Sequence, residues 1–193
     1  MNGATGLRPR NNAPARRRSG FADGQPGWHY ALDAGALTVL LGLGVFGFSL
    51  SFGGDPYYLA AGFGGILLGL GVAAAKVHYR LGVLFTTALA VGAYLVFGTA
   101  LAVPEASIAG VLPSFESLRT LLAGVVFAWK DMLTVGVPVG TAGGTLIVPF
   151  LSSLLTALAA GLLTWRLKSP YWPLLPVLVL FVTGIAFSTN AGF

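Results

Sequence analysis

Apolar residues fill five long stretches of the chain almost without interruption, and the polar residues between them mark where each stretch stops. The first runs over about residues 32–52 and ends at Gly53-Gly54-Asp55-Pro56, a cluster that favours a tight loop. The second, about 57–75, is closed by Lys76, His78 and Arg80, and the third, about 81–103, contains no proline. The fourth and fifth cover about 146–163 and 172–187, with Trp165-Arg166-Leu167-Lys168-Ser169-Pro170-Tyr171 between them. A helix needs roughly 20 apolar residues to cross a hydrocarbon core. The pattern therefore predicts an all-α, polytopic transmembrane bundle of about five spans, occupying residues 28–193.

The third and fourth stretches are joined by a long connection, about 104–145, with a different rhythm. From Ser114 to Trp129 the large apolar residues fall at Phe115, Leu118, Leu121, Leu122, Val125, Val126 and Trp129, while Glu116, Ser117, Arg119 and Thr120 fall opposite. That is the period of an amphipathic helix, 114–129, with Ser114 after Pro113 as its N-cap. Such a helix lies in the membrane interface or covers the ends of the spans. It leads into Gly136-Val137-Pro138-Val139-Gly140-Thr141-Ala142-Gly143-Gly144, too rich in glycine and proline for a clean span. A phosphate-binding loop would need a preceding strand and a Gly-Lys-Ser/Thr ending. The segment has neither, so a re-entrant or surface-hugging loop is expected.

Composition sharpens the picture, since 55% of the residues are hydrophobic and 9% charged, against roughly a quarter charged in soluble domains. The net charge of +5 could suggest nucleic acid, but nine of the eleven Lys and Arg residues fall in the N-terminal tail and in the 76–80 and 165–171 loops. Only Arg119 and Lys130 lie elsewhere. Cytoplasmic loops carry the excess of basic residues, which predicts a cytoplasmic N-terminus, an extracytoplasmic C-terminus and no nucleic-acid partner. Trp28, Tyr30, Tyr79, Trp165, Tyr171 and Trp172 then fall at one membrane boundary and Tyr57, Tyr58 and Trp129 at the other, as aromatic belts require. Tyr94 alone lies mid-span. Residues 1–27, rich in Arg, Asn, Pro and Gly, have too little apolar surface to fold and are expected to form a disordered cytoplasmic tail.

Candidate chemistry is sparse. The chain has no cysteine, which excludes disulfides, thiolate metal sites and a cysteine nucleophile within it. His29 and His78 have no acidic partner at ligand spacing, so no metal and no cofactor is expected. Asp33 reads as an interfacial acid in the first turn of the first span. The spans carry small residues at every fourth position instead: Ala61, Gly65, Gly69 and Ala73 in the second, and Ser153, Ala157 and Gly161 in the fourth. Such stripes let helices approach closely, either within the bundle or between two copies of the chain.

The run LRTLLAGVVFAWKDMLTVGVPVGTAGGTLIVPF, residues 118–150, with the two apolar stretches and the basic loop that follow it, resembles the N-terminal membrane region of bacterial transglutaminase-like membrane proteins of the TgpA type. The likeness covers about residues 100–190. In that family a multi-span bundle precedes an extracytoplasmic transglutaminase-like domain with a Cys-His-Asp triad. No triad residue can be placed on a chain without cysteine. The resemblance implies a non-catalytic anchor or scaffold in a bacterial plasma membrane, with Trp129, Lys130 and Asp131 as candidate contacts for an extracytoplasmic domain. It also implies that the chain is a truncated member, a fragment or a split gene product. The other functional expectation is a small transport or channel component, built around the broken 136–144 segment.

Overall fold

The computed structural model describes residues 27–49, 51–53, 56–103, 112–134, 144–167 and 171–189. They form six helices: α1 Gly27–Phe46, α2 Tyr57–Tyr79, α3 Val83–Ala102, α4 Phe115–Thr134, α5 Ile147–Arg166 and α6 Leu174–Thr189. Four of these, α1, α2, α3 and α5, are long and apolar enough to cross a membrane. The protein is a helical membrane bundle. The fifth expected span, α6, is apolar throughout but has 16 residues, or about 24 Å at 1.5 Å per residue, short of a core of about 30 Å. A turn at Tyr171-Trp172-Pro173 delays its start.

The first span also differs from expectation. Its helix begins at Gly27 and ends at Phe46, earlier at both ends than 32–52. From Gly47 the backbone tightens into three-residue turns, with the Gly47, Phe48 and Ser49 amides donating to the carbonyls of Gly44, Val45 and Phe46. These turns sink Phe48 and Phe52 into the core. Asp33 consequently sits in the second turn of α1, one turn past the position where a carboxylate best suits the helix dipole.

Helix boundaries elsewhere follow local chemistry. At the end of α2, Arg80 adopts the left-handed conformation (φ 51°, ψ 39°) and its amide caps the Lys76 carbonyl. Glycine is the usual residue there, and another L-residue costs about 1–2 kcal/mol. Ser114 caps α4 reciprocally: the Ser117 amide donates to Ser114 Oγ at 3.0 Å, and the Ser114 amide to Ser117 Oγ at 2.9 Å. Ser117, on the polar face by sequence period, is fully buried because its hydroxyl is engaged in this cap. The face of α4 that packs inward is Ser117, Leu121, Gly124 and Ala128, which leaves Leu122, Val125 and Val126 exposed beside Glu116 and Arg119. The helix also runs to Thr134, more than a turn past the expected end at Trp129.

α2 and α5 form the centre. Half or more of each crossing segment is buried, 50% and 61%, against 28% for α1 and 22% for α3. They run parallel: Gly65 lies against Phe150 and Ser153, Gly69 against Leu154 and Ala157, and Ala73 against Gly161. α1 and α6 form a second parallel pair, with Gly44 against Leu180, Gly47 against Gly184 and Phe48 stacked on Phe187. α3 packs on α2, and α4 packs on α3 and α5. One end of the bundle, the basic end, gathers Lys76, Arg80 and Arg166. α4 lies toward the opposite end, where α5 begins. The tail 1–26, the 104–111 connection and residues 135–143 of the Gly/Pro segment lie outside the described residues.

Candidate functional site

The two small-residue stripes face each other across the α2–α5 seam. A Cβ added at Gly65 would meet the Phe150 carbonyl and the Ser153 hydroxyl, and one at Gly69 the Leu154 carbonyl and the Ala157 methyl. The hydroxyls of α5 donate within their own helix rather than across the seam. Ser152 donates to Val148 O at 2.7 Å, Ser153 to Phe150 O at 3.0 Å and Thr156 to Ser152 O at 2.7 Å, all within the helix. With no water in the hydrocarbon core, this internal pairing satisfies each hydroxyl locally. The seam is then held by close packing, which is the main attraction between helices in lipid. At Ala61 the stripe is fully buried too.

At the α4 end, Tyr94 explains its own mid-span position. Its hydroxyl donates to the Leu121 carbonyl at 2.9 Å, a buried bond from α3 to α4, and its ring stacks on Phe150 at 5.8 Å. Gly124 lies against Ile147, and Trp129 packs on Phe187 with ring centroids 5.7 Å apart. α4 is thereby tied to α3, α5 and α6. Of the candidate partner contacts, Trp129 is half-buried in this way, Lys130 is exposed, and the Asp131 side chain lies outside the described residues. Next to them Glu116, Arg119, Thr120 and Phe127 line a shallow groove of about 200 Å³ that reaches Gly144 and Ile147.

The basic end holds a feature that sequence period does not reveal, a cavity of about 750 Å³ bounded by the start of α1, the end of α2 and Trp165 of α5. Tyr30 and Trp165 meet edge to face at 6.1 Å and bridge α1 to α5 at its rim. Ala31, Ala34, Gly71, Ala74 and Ala75 are too small to fill the space between them. A Cβ added at Gly71 would meet nothing within 4 Å. The Trp165 indole N–H is buried and has no hydrogen-bond partner among the described residues.

Sequence reading also missed the close crossing at Gly44, Gly47 and Gly184, whose three-residue spacing in α1 is not the four-residue stripe that draws attention. The two histidines stay apart in role: His29 stacks on Trp28 at 3.8 Å and His78 meets the edge of Tyr79 at 4.8 Å. Among the described residues no group of three or more His, Asp or Glu side chains could hold a metal ion. No protein-family model, curated protein or solved structure matches this chain.

Proposed function

We propose that the chain is a non-catalytic membrane anchor and scaffold whose α4 end docks an extracytoplasmic domain, of the transglutaminase-like kind that residues 118–150 bring to mind by resemblance. In this arrangement the basic end lies in the cytoplasm of a bacterial cell, in keeping with nine of eleven Lys and Arg residues falling on that side. The observation that carries the proposal is the anchoring of α4. Tyr94 bonds its backbone, Gly124 seats it on Ile147, and its far end rests on Phe187 through Trp129. A helix held at three places still turns Glu116, Arg119, Lys130 and the apolar Leu122 and Val126 outward. An interface with an apolar centre and a charged rim has this make-up.

The tight α2–α5 seam favours a scaffold over a transport component, because two helices whose backbones touch leave no path between them. The docking idea is tested by co-expressing the chain with a transglutaminase-like domain and measuring co-purification from membranes. Arg119→Glu with Lys130→Glu should abolish capture while leaving membrane insertion intact, since both side chains are exposed. Undiminished capture by that double variant, and by Trp129→Ala, would remove the docking role.

A further inference from the structure

The bundle offers the surrounding lipid two sides of different height. On one side stands α3, whose 20 residues include no charged side chain and rise about 30 Å, the thickness of a hydrocarbon core. On the other stand α1 and α6. The apolar stretch of α6 is Leu174–Phe187, about 21 Å at 1.5 Å per residue. The turn before it holds Tyr171 and Trp172, exposed aromatics of the kind that settle at headgroup level. In α1 the unbroken apolar part of the helix begins after Asp33 and stops at Phe46, about 20 Å, because the chain then folds into tight turns between Gly44 and Ser51. Packing sets these turns beside the last turns of α6: Gly47 abuts Gly184, and Phe48 stacks on Phe187. Ser49 is only half-buried there. Irregular backbone and a hydroxyl do not face hydrocarbon, so both members of the pair end at a level where polar surroundings must begin.

We infer that the bilayer is thinned along the α1–α6 side, so that the protein meets lipid of ordinary thickness at α3 and a layer about 9 Å thinner across the bundle. A short apolar segment is accommodated by snorkelling of flanking side chains, by oligomerisation or by thinning of the bilayer. Snorkelling needs a long cationic side chain, and the last turn of neither α1 nor α6 carries one. Close association of membrane helices favours small residues at the contact, whereas α6 turns outward Leu175, Leu178, Val179, Phe181, Val182 and Ile185. Those branched and aromatic side chains suit lipid tails. The partner of this face is thus a lipid surface drawn toward the midplane, and lipids with short acyl chains meet it with the least deformation. The inference needs only the membrane placement of the bundle, and it stands or falls apart from docking at α4.

Spin labels on single introduced cysteines test this, since the chain has none of its own. Leu174→Cys, Leu178→Cys, Val182→Cys and Ile185→Cys on α6, and Leu84→Cys, Val91→Cys and Val96→Cys on α3, all replace exposed side chains. Each variant is first checked for unchanged helical circular dichroism and then reconstituted at high lipid-to-protein ratio in dioleoyl phosphatidylcholine vesicles. The ratio of collision rates with dissolved oxygen and with a water-soluble nickel chelate gives the depth of each label. The chelate should reach the labels at Leu174 and Ile185, and the hydrocarbon thickness extrapolated along α6 should fall short of that along α3 by about 9 Å. In dimyristoleoyl phosphatidylcholine, a thinner bilayer, the difference should shrink. Inserting Leu-Leu-Val-Leu between Thr189 and Asn190 lengthens α6 beyond its packed part and should withdraw the label at Ile185 from the chelate, while inserting Ser-Gly-Ser-Gly at the same place should not. Equal thickness on the two sides, or labels at Leu178 and Val182 that neither oxygen nor chelate reaches because protein covers the face, would each overturn the proposal.

Discussion

Two faces of α2 are built from the same kind of residue and end up with opposite surroundings. On one, Gly65 and Gly69 touch the α5 backbone so closely that no methyl group would fit. On the other, Gly71, Ala74 and Ala75 border open space, and Gly71 has nothing within reach of a Cβ. Small residues on a membrane helix permit close approach without causing it. The difference lies in the partner: α5 offers Ser153, Ala157 and Gly161 in the same register as the first face. Toward the second face α1 offers Tyr30, which stands off against Trp165. One face has become a structural seam and the other the wall of a cavity.

That contrast can be attacked by substitution, and the largest effect is expected at Gly69. Valine there would drive its Cβ into the Leu154 carbonyl and the Ala157 methyl. Neither is the free end of a flexible chain, so the cost should reach the upper part of the usual overpacking range of about 1–3 kcal/mol. Thermal unfolding in detergent should show a large drop in Tm with loss of the monodisperse species. Gly65→Ala should follow, smaller than Gly69→Val yet still destabilising, since its methyl meets the Phe150 carbonyl. Tyr94→Phe removes the bond to Leu121 and leaves the seam untouched. A loss of about 0.5–1.5 kcal/mol is expected, seen as a modest Tm shift and faster proteolysis between α3 and α5. The smallest effect belongs to Gly71→Ala, which should stabilise the protein by up to about 1 kcal/mol through helix propensity alone. If Gly71→Ala lowered Tm as much as Gly65→Ala does, the two faces would not differ as described.

The chain itself discloses some of this architecture and hides the rest for physical reasons. Long apolar runs and the Ser114 cap are local properties, so the helical membrane bundle and the start of α4 can be read directly. The stripes Ala61-Gly65-Gly69-Ala73 and Ser153-Ala157-Gly161 are also local, but nothing local says that they meet each other. Their pairing depends on α4 not crossing the membrane, which makes α2 and α5 parallel. Helix ends are harder, because Gly47 leaves α1 only where Gly184 of α6 comes close. Ser117 looked polar and is buried, since its hydroxyl had a partner three residues back. The cavity could not be foreseen at all, because it is space left between three helices rather than a pattern along one.

Because the chain has no cysteine, the parallel seam can be tested directly by pairs of introduced ones in native membranes. Ala73→Cys with Gly161→Cys should form a disulfide readily under mild oxidation, since these positions abut near the basic end. Ala61→Cys with Gly161→Cys should stay reduced, because parallel helices put those residues at opposite ends of the seam. Cross-linking of the 61–161 pair and not of the 73–161 pair would mean that α2 and α5 run antiparallel and that α4 crosses the membrane, contradicting the architecture from which the rest follows.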